Sequence, residues 1–187
     1  AILFSTDQDI PERLEAEVGL AMAKLARKAV EACVLRTEPP GHEIEIPLSL
    51  PKQAGLFVTI RKRGELRGCM GTIAPTKPSL SQEIIHIACR AASADPRFPP
   101  VKAEELGDLT YSLDIIGPLE PIESLEELAP KHFGVVVESG LRRGLLLPDL
   151  EGVDTKEQQL SIARSKAGIG PEEECGIFRF TVERYPR

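Results

Sequence analysis

Aromatic residues are scarce in this chain of 187 residues: they make up 4% of the sequence, which contains no tryptophan. The formal net charge is −6. Proteins that bind nucleic acids cluster positive charge, and many stack bases on aromatic side chains. The composition therefore argues against a general nucleic-acid binder, although Arg61, Lys62, Arg63 and Arg67 form a local basic patch.

Several well-known site signatures are also absent, since the sequence contains no Walker loop, no GxGxxG and no HExxH. His42, His86 and His132 lie in separate predicted elements, so their spacing predicts no metal site, and no cofactor can be identified. No apolar run is long enough for a transmembrane helix, and the N-terminus has no signal-peptide pattern. We therefore expect no attachment to a membrane.

The four cysteines have neither CxxC nor disulfide-scaffold spacing; they are Cys33, Cys69, Cys89 and Cys175. Free thiols are typical of the reducing cytosol, so we expect a cytoplasmic protein.

Hydrophobic periodicity predicts an α+β fold. Apolar residues make up 42% of the chain and charged residues 28%, as in globular proteins. Four helices are predicted, over 9–35, 79–95, 154–167 and a short segment from 124. The second has an apolar stripe that comprises Leu80, Ile84, Ile87, Ala88 and Ala91. The third begins with a capping pair, Asp154 and Glu157, and is closed by Gly168. Strands are predicted at 44–46, 56–61, 66–71, 109–115, 133–138, 144–147 and 178–183. Because there is no regular βαβ repeat, we expect mixed or antiparallel sheets with hairpins in one domain, either undivided or with two lobes.

The segment from Leu66 to Thr72, LRGCMGT, is the most informative part of the sequence. Side chains alternate between the faces of a strand, which predicts Arg67 and Cys69 on one face and Leu66 and Met70 in the core.

Two glycines flank the cysteine of this segment, at positions 68 and 71. Glycine is unfavourable inside a strand, so Gly68 and Gly71 indicate a bulge or the close approach of another backbone or a ligand.

Each chemically interesting side chain also has a simpler structural interpretation. Cys69 is either a small buried apolar residue or a thiol that the nearby Arg67 makes reactive. The loop 95–100 contains Asp95, Arg97 and Phe98, and it is either a solvated surface or part of a site. A histidine such as His132 is more often structural than catalytic.

Three motifs resemble the AMMECR family, named from the AMME syndrome chromosomal region: LRGCMGT at 66–72, AASADPRF at 91–98 and KHFG at 131–134. Bacterial and archaeal members are labelled AmmeMemoRadiSam system protein A. Met70 stands where most members are expected to have isoleucine. Arg164 stands where many have cysteine, and a tryptophan common near the C-terminus is missing, which argues against catalysis in that region.

The resemblance implies a single AMMECR-type domain over residues 1–187, with two lobes and the motif strand lining a cleft between them. It also implies a genomic association with a Memo-like protein and a radical-SAM protein. The candidate site residues that it implies are Arg67, Gly68, Cys69, Gly71, Thr72, Asp95, Arg97, Phe98 and His132.

Two functional hypotheses follow from these residues. In the first, the cleft binds an anionic small molecule, a nucleotide or a segment of a partner protein, with arginines providing bidentate recognition. In the second, Cys69 is the nucleophile or a thiolate ligand of an enzyme, Arg67 or Arg97 holds an anionic substrate, and His132 acts as acid or base. We favour the binding module, because no complete catalytic set is evident.

Overall fold

The computed structural model describes residues 9–41 and 50–186, with side chains from residue 16 onward. Within these ranges the protein has three α-helices, two short 3-10 helices and eight strands in two four-stranded antiparallel sheets, which confirms the α+β class. The chain divides into two compact units: Ala1–Ile115 with Arg184–Arg187, and Ile116–Glu183. The strand predicted at 44–46 lies outside the described residues.

The first sheet has the strand order β2-β1-β3-β8. The chain forms α1 (Asp9–Leu35), β1 (Leu56–Lys62), β2 (Glu65–Gly71), α2 (Leu80–Ser93), a 3-10 helix (Ala103–Asp108), β3 (Leu109–Ile116) and, at its end, β8 (Val182–Tyr185). Helix α2 packs on β1 and β2, and α1 packs on α2. The predicted apolar stripe of α2 is fully or almost fully buried in the core; it comprises Leu80, Ile84, Ile87, Ala88 and Ala91.

The predicted hairpin is present, and its turn consists of Arg63 and Gly64. Both residues have positive φ, 51° and 91°, as tight two-residue hairpin turns require. Position 64 is one where glycine avoids the steric penalty of this conformation.

The pairing of β1 with β2 contains a β-bulge. Ile60 pairs with Gly68, whereas Arg61 pairs with Leu66, so Arg67 is an extra residue in β2. One extra residue shifts the alternation of side chains between the faces. Leu66 is consequently exposed, and the prediction that it fills the core is wrong. The prediction that Arg67 and Cys69 share one face assumed that side chains alternate without interruption along β2. The bulge interrupts this alternation at Arg67.

Both glycines of β2 lie where a side chain would collide with its neighbours. A Cβ on Gly68 would lie 2.3 Å from the carbonyl oxygen of Ala91 in α2, and one on Gly71 would lie 2.3 Å from the ring of Phe57. The predicted close backbone approach is therefore confirmed. Met70, between them, packs against the core as predicted.

The second sheet has the strand order β4-β7-β5-β6. Its elements are β4 (Glu120–Pro121), a 3-10 helix (Leu125–Glu127), β5 (Gly134–Ser139), β6 (Arg142–Leu146), α3 (Lys156–Ala167) and β7 (Gly176–Phe180). The continuous closing strand predicted over 178–183 is wrong, because β7 belongs to this sheet and β8 belongs to the first. The alternation of apolar and polar residues continues through both strands. It therefore gives no sign that the chain passes from one sheet to the other at Thr181.

Helix α3 begins one residue later than the sequence predicts. Its N-cap is Thr155, whose side chain accepts a hydrogen bond from the backbone N–H of Gln158, while the side chain of Gln158 bonds back to the N-cap. The capping pair predicted from Asp154 and Glu157 is therefore wrong, although both pairs have the same spacing. The predicted C-terminal glycine, Gly168, is confirmed in the left-handed conformation.

None of the helices in the described part of the chain combines the length and the hydropathy that a bilayer crossing requires.

Candidate functional site

The backbone of Cys69 is held by two side chains of the loop that follows α2. Its N–H donates to Oδ2 of Asp95 at 2.8 Å, and Nη2 of Arg97 donates to its carbonyl oxygen at 3.3 Å. Among the described residues β2 is an edge strand, and no described strand pairs with its outer backbone groups. The loop 95–100 is thus not only a solvated surface, because Asp95 and Arg97 provide hydrogen bonds to this edge.

Asp95 is buried, with 4% of its surface exposed. Its carboxylate accepts from Nε of Arg97 at 3.0 Å, from Nη2 at 2.7 Å and from the backbone N–H of Arg97 at 3.0 Å. The Arg97 side-chain bonds are the largest cause holding the pKa of Asp95 well below its usual range, with help from the N–H groups of Cys69 and Arg97 and against the effect of burial. Asp95 is therefore a carboxylate at neutral pH.

The thiol of Cys69 lies beside a hydroxyl and a guanidinium. Oγ1 of Thr59 donates to Sγ at 3.4 Å. The pKa of Arg97 is raised chiefly by Asp95, and a hydrogen bond with the Cys69 side chain is a further cause. A half-buried sulfur next to a hydrogen-bond donor and a cation has one of the features of reactive cysteines.

Arg67 is the extra residue of the bulge, and its guanidinium is fully engaged within the protein. It forms a bidentate ion pair with Glu105, with Nε–Oε2 at 3.0 Å and Nη2–Oε1 at 2.9 Å. Nη1 donates to the carbonyl oxygen of Pro99 at 3.0 Å, and Nη2 donates to that of Pro100 at 3.4 Å. Only 12% of the side chain is exposed. The arrangement fixes the 95–100 loop and the 3-10 helix against β2.

Glu105 receives two further hydrogen bonds, from Nζ of Lys62 at 2.9 Å and from the backbone N–H of Lys102 at 3.0 Å. The bond with Arg67 is the largest cause that lowers the pKa of Glu105 well below its usual range, followed among the lowering causes by the bonds with Lys102 and Lys62. Glu105 thus balances much of the positive charge around β2.

Phe98 lies near both arginines, with its ring centroid 6.0 Å from the guanidinium carbon of Arg67 and 5.5 Å from that of Arg97. These distances are in the range of cation–π interactions. The ring also lines a cavity of about 370 Å³. The other lining residues are Lys62, Arg67, Pro99, Pro100, Lys102, Glu104 and Glu105.

Thr72 is bonded to the interior of the first unit. Its hydroxyl donates to Oε1 of Glu83 at 3.1 Å, and Glu83 is completely buried in α2. The same carboxylate accepts the backbone N–H groups of Thr76 and Lys77, each at 2.7 Å. In this arrangement the hydroxyl of Thr72 helps to hold the connection between β2 and α2.

His132 lies in the other compact unit, where its backbone N–H donates to the carbonyl oxygen of Ala129 at 2.8 Å. Its side chain is exposed, and no hydrogen bond among the described residues joins it to Cys69. The role of His132 as the proton-transfer partner of Cys69 stays a prediction.

A larger cavity, of about 730 Å³, lies in the second unit and contains none of the predicted site residues. Four glutamates give it an acidic lining: Glu138, Glu172, Glu173 and Glu174. Arg164 at its edge donates to the carbonyl oxygens of Gly170 and Glu173, at 2.6 and 2.8 Å. Within the described ranges no group of three His, Cys, Asp or Glu residues is close enough to hold a metal ion.

Sequence reasoning missed three residues of these networks. Thr59 faces Cys69 across the hairpin, and a register counted back from the two-residue turn with the bulge included would have found it. Glu83 lies at helical spacing from the apolar residues of the α2 stripe. An acidic residue at such a position is unusual, so the sequence contained a signal for it. Glu105 has no such signal, because it lies 38 residues from Arg67 in a 3-10 helix that the periodicity does not predict.

Comparison with known proteins gives one consistent family. A model of the AMMECR1 family matches residues 23–185. A protein of Thermotoga maritima is 54% identical over an alignment of 153 residues, which covers 78% of this chain and 87% of that relative. Protein CA_C1420 of Clostridium acetobutylicum is 47% identical over 131 residues, which are 70% of this chain but 28% of that longer relative.

A solved structure has the same fold. The crystal structure of uncharacterized protein PH0010 from Pyrococcus horikoshii superimposes with a TM-score of 0.81 at 32% identity, covering 91% of this chain and 94% of the other. The family resemblance carried by the three sequence motifs is thereby confirmed.

Proposed function

The chain belongs to the AMMECR1 family, and within that family we propose that it acts as a binding module whose cavity beside β2 receives a ligand with an anionic group. The observation that carries this proposal is the cavity of about 370 Å³ next to the LRGCMGT strand. Ligand sites are typically concave and largely apolar, with a few polar groups that orient the ligand. Phe98, Pro99 and Pro100 provide the apolar wall, and the cationic side chains provide the polar groups.

The cations of this cavity divide into two kinds. Arg67 is held by Glu105 and by two backbone carbonyls, so it shapes the wall. Lys62 is bonded to Glu105 but keeps 35% of its side chain exposed, and Lys102 is exposed. The ammonium groups are therefore the groups best placed to meet an anion from solution.

The chemistry required of the ligand is an anionic group next to a flat or apolar part. The anion would bind the ammonium groups, and the flat part would contact Phe98, which lines the cavity together with Pro99 and Pro100. An anionic small molecule, a nucleotide and an acidic segment of a partner protein all meet this requirement. Among protein partners, the Memo-like and radical-SAM proteins implied by the family resemblance are the first to test.

The binding module is tested by thermal-shift titration with three probes: inorganic phosphate, AMP and a short acidic peptide that contains one aromatic residue. We expect at least one probe to stabilise the native protein. In the double variant Lys62→Gln, Lys102→Gln the apparent affinity should fall by about tenfold, the effect of losing roughly 1.4 kcal/mol of charge-assisted bonding.

The matched control is Lys24→Gln with Lys28→Gln, two exposed lysines of α1 in the same unit. This variant should bind as the native protein does. The proposal fails if no probe binds, or if the two double variants lose affinity equally.

Cysteine chemistry at Cys69 is a second candidate, which rests on the Thr59 hydroxyl that donates to its sulfur and on the positive charge of Arg97, which bonds to the carbonyl oxygen of the same residue. A deprotonated Cys69 would attack an electrophilic substrate, with Arg97 beside the reacting sulfur. The test is the rate of alkylation against pH in a variant with Cys33, Cys89 and Cys175 replaced by serine. Rapid alkylation at pH values well below the ordinary pKa of a thiol would favour the enzyme. Slow alkylation, or full retention of any discovered activity in Cys69→Ser, would exclude covalent catalysis.

A further inference from the structure

Two cysteines, Cys33 and Cys89, lie where α1 packs on α2. Sγ of Cys89, in α2, donates to the carbonyl oxygen of Ala29 in α1 at 3.4 Å. In an α-helix that carbonyl also accepts the N–H of the residue four positions later, which is Cys33. The sulfur of Cys89 therefore contacts α1 at the helical turn that carries Cys33.

Small side chains bring the two helices close together at this point. Ala29 in α1 and Ala88 and Ala92 in α2 are buried, with at most 3% of their surface exposed. Disulfides need short separations, with Cα atoms about 4.4–6.8 Å apart. Alanines at a helix interface permit a close approach of the two backbones, because no long side chain separates them.

Both thiols remain partly accessible and are adjacent to one another. Cys33 and Cys89 are each half-buried and reduced. Burial is the largest cause that raises the pKa of Cys89 to about 12, and the neighbouring Cys33 raises it further, in part through a hydrogen bond between the two side chains. The contact of Sγ of Cys89 with the carbonyl oxygen of Ala29, one helical turn before Cys33, places the two cysteines next to each other.

We propose that Cys33 and Cys89 form a reversible oxidation site, at which a small-molecule disulfide such as glutathione disulfide converts the pair into a disulfide that links α1 to α2. The site is separate from the cavity of the proposed function. Cys69 is bonded to Thr59, and Cys175 belongs to the second unit, so neither is part of this pair.

The exchange proceeds in two balanced steps. The Cys33 thiolate attacks one sulfur of the small-molecule disulfide, which breaks its S–S bond and releases the first small thiolate. The Cys89 thiolate then attacks the sulfur of Cys33 in the mixed disulfide and releases the second. The two protons of the cysteine thiols end on the two released small thiols, so the protein pair is oxidised and the reagent is reduced. Cys33 reacts first, because the raised pKa of Cys89 leaves little of it as thiolate.

This site is consistent with the absence of disulfide-scaffold spacing in the sequence. The two cysteines lie in different helices, and only the packing of α1 on α2 makes them neighbours. In a reducing environment the exchange runs backwards, and both cysteines remain thiols.

The proposal is tested by incubating the full chain in buffers with graded ratios of glutathione disulfide to glutathione, followed by acid quenching, alkylation and peptide mass spectrometry. We expect a peptide pair joined through Cys33 and Cys89 that lacks two hydrogens and that disappears on reduction. The oxidised protein should also melt at a higher temperature than the reduced protein, since a cross-link restricts the unfolded chain.

Serine variants separate this site from nonspecific oxidation. Cys33→Ser and Cys89→Ser should each lose the cross-link and the oxidant-dependent rise in melting temperature. Cys175→Ser is the matched control and should retain both. The proposal is overturned if the native protein carries only glutathione adducts or free thiols at positions 33 and 89, or if the cross-link joins other cysteines.

Discussion

Arg67 and Arg97 have the same functional group but differ in how the fold uses it. The guanidinium of Arg67 is 12% exposed and spans Glu105 and two backbone carbonyls, whereas the side chain of Arg97 is 53% exposed and bonds to the buried Asp95. Removing Arg67 would leave Glu105 without its bidentate partner. Removing Arg97 would leave Asp95 with the N–H of Cys69 as its remaining long-range partner. Arg97 therefore holds β2 both through Asp95 and through its own bond to the carbonyl oxygen of Cys69, whereas Arg67 is part of β2 and is held by Glu105.

The variant Gly68→Ala should destabilise the protein by about 1–3 kcal/mol, because overpacking against a backbone is not relieved by a change of rotamer. The added Cβ would lie 2.3 Å from the carbonyl oxygen of Ala91. Urea unfolding followed by circular dichroism measures the effect. Gly107→Ala is the control, since a Cβ there has no atom within 4 Å; an equal loss in both variants would contradict the close approach.

Asp95 should make the stability depend on pH in acid. Its pKa is lowered in the folded protein relative to about 3.9 in the unfolded chain, so the unfolded chain binds the extra proton. The stabilisation is present at neutral pH and is lost as the pH falls below about 5. Asp95→Asn should therefore cost about 1–3 kcal/mol at pH 7 and give a shallower acid decline than the native protein.

Denaturant titrations over a series of pH values measure both the cost of Asp95→Asn at pH 7 and the decline of stability in acid. The control is Asp149→Asn, at an exposed position where the ion pair with Lys131, at 3.8 Å, contributes little. Native and Asp95→Asn curves that run parallel into acid would show that Asp95 is not responsible for the decline.

At the scale of elements, helix α3 shows that a local rule can predict a capping box correctly and still assign it to the wrong residues. Asp154 and Thr155 are both good N-cap residues, and each has a polar residue three positions later. In the structure Thr155 and Gln158 form the capping box, while the side chain of Asp154 pairs with Lys131 at 3.1 Å. The position of the helix start depends on where α3 packs against β5 and β6.

Thr155→Ala should lower the free energy of unfolding by about 1 kcal/mol, because the N–H of Gln158 loses its acceptor. Asp154→Ala removes only an exposed ion pair and should cost less, within about 0–1 kcal/mol. Thermal unfolding of the two variants measures the difference. A larger loss for Asp154→Ala would place the cap one residue earlier.

At the scale of the whole molecule, the first unit is completed by the end of the chain. Strand β8 lies beside β3, and Arg184 pairs with the buried Asp114 at 2.7 Å. Tyr185 is buried in the first core. The second unit, Ile116–Glu183, is therefore an insertion between two parts of the first.

Deletion of residues 182–187 should destabilise the first unit, because it exposes the edge of β3 and leaves the carboxylate of Asp114 buried without Arg184. Hydrogen exchange measures the loss of stability separately in each unit. We expect lost protection in β1 and β3 and retained protection in β5 and β7. Uniform loss across both sheets, or protection unchanged in β1 and β3, would contradict the assignment of β8 to the first core.

Local geometry made much of this architecture predictable. The alternation in β1 and β3 and the apolar stripe of α2 follow directly from the spacing of side chains along a strand and a helix. The α+β class rests on these local periods. The motif residues of the family were likewise recognisable in the sequence, and so was the need for glycine at positions 68 and 71.

Only tertiary structure decided what those residues contact. The bulge at Arg67 moved Leu66 out of the core, Glu105 neutralised Arg67 from 38 residues away, and the chain changed sheets at Thr181 without a break in alternation. Periodicity is a property of one segment, whereas register, ion-pair partners and sheet membership depend on which distant segments pack together. For that reason the sequence by itself determined the elements and the candidate residues, and the packing of β2 against α2 and the 95–105 region determined the site.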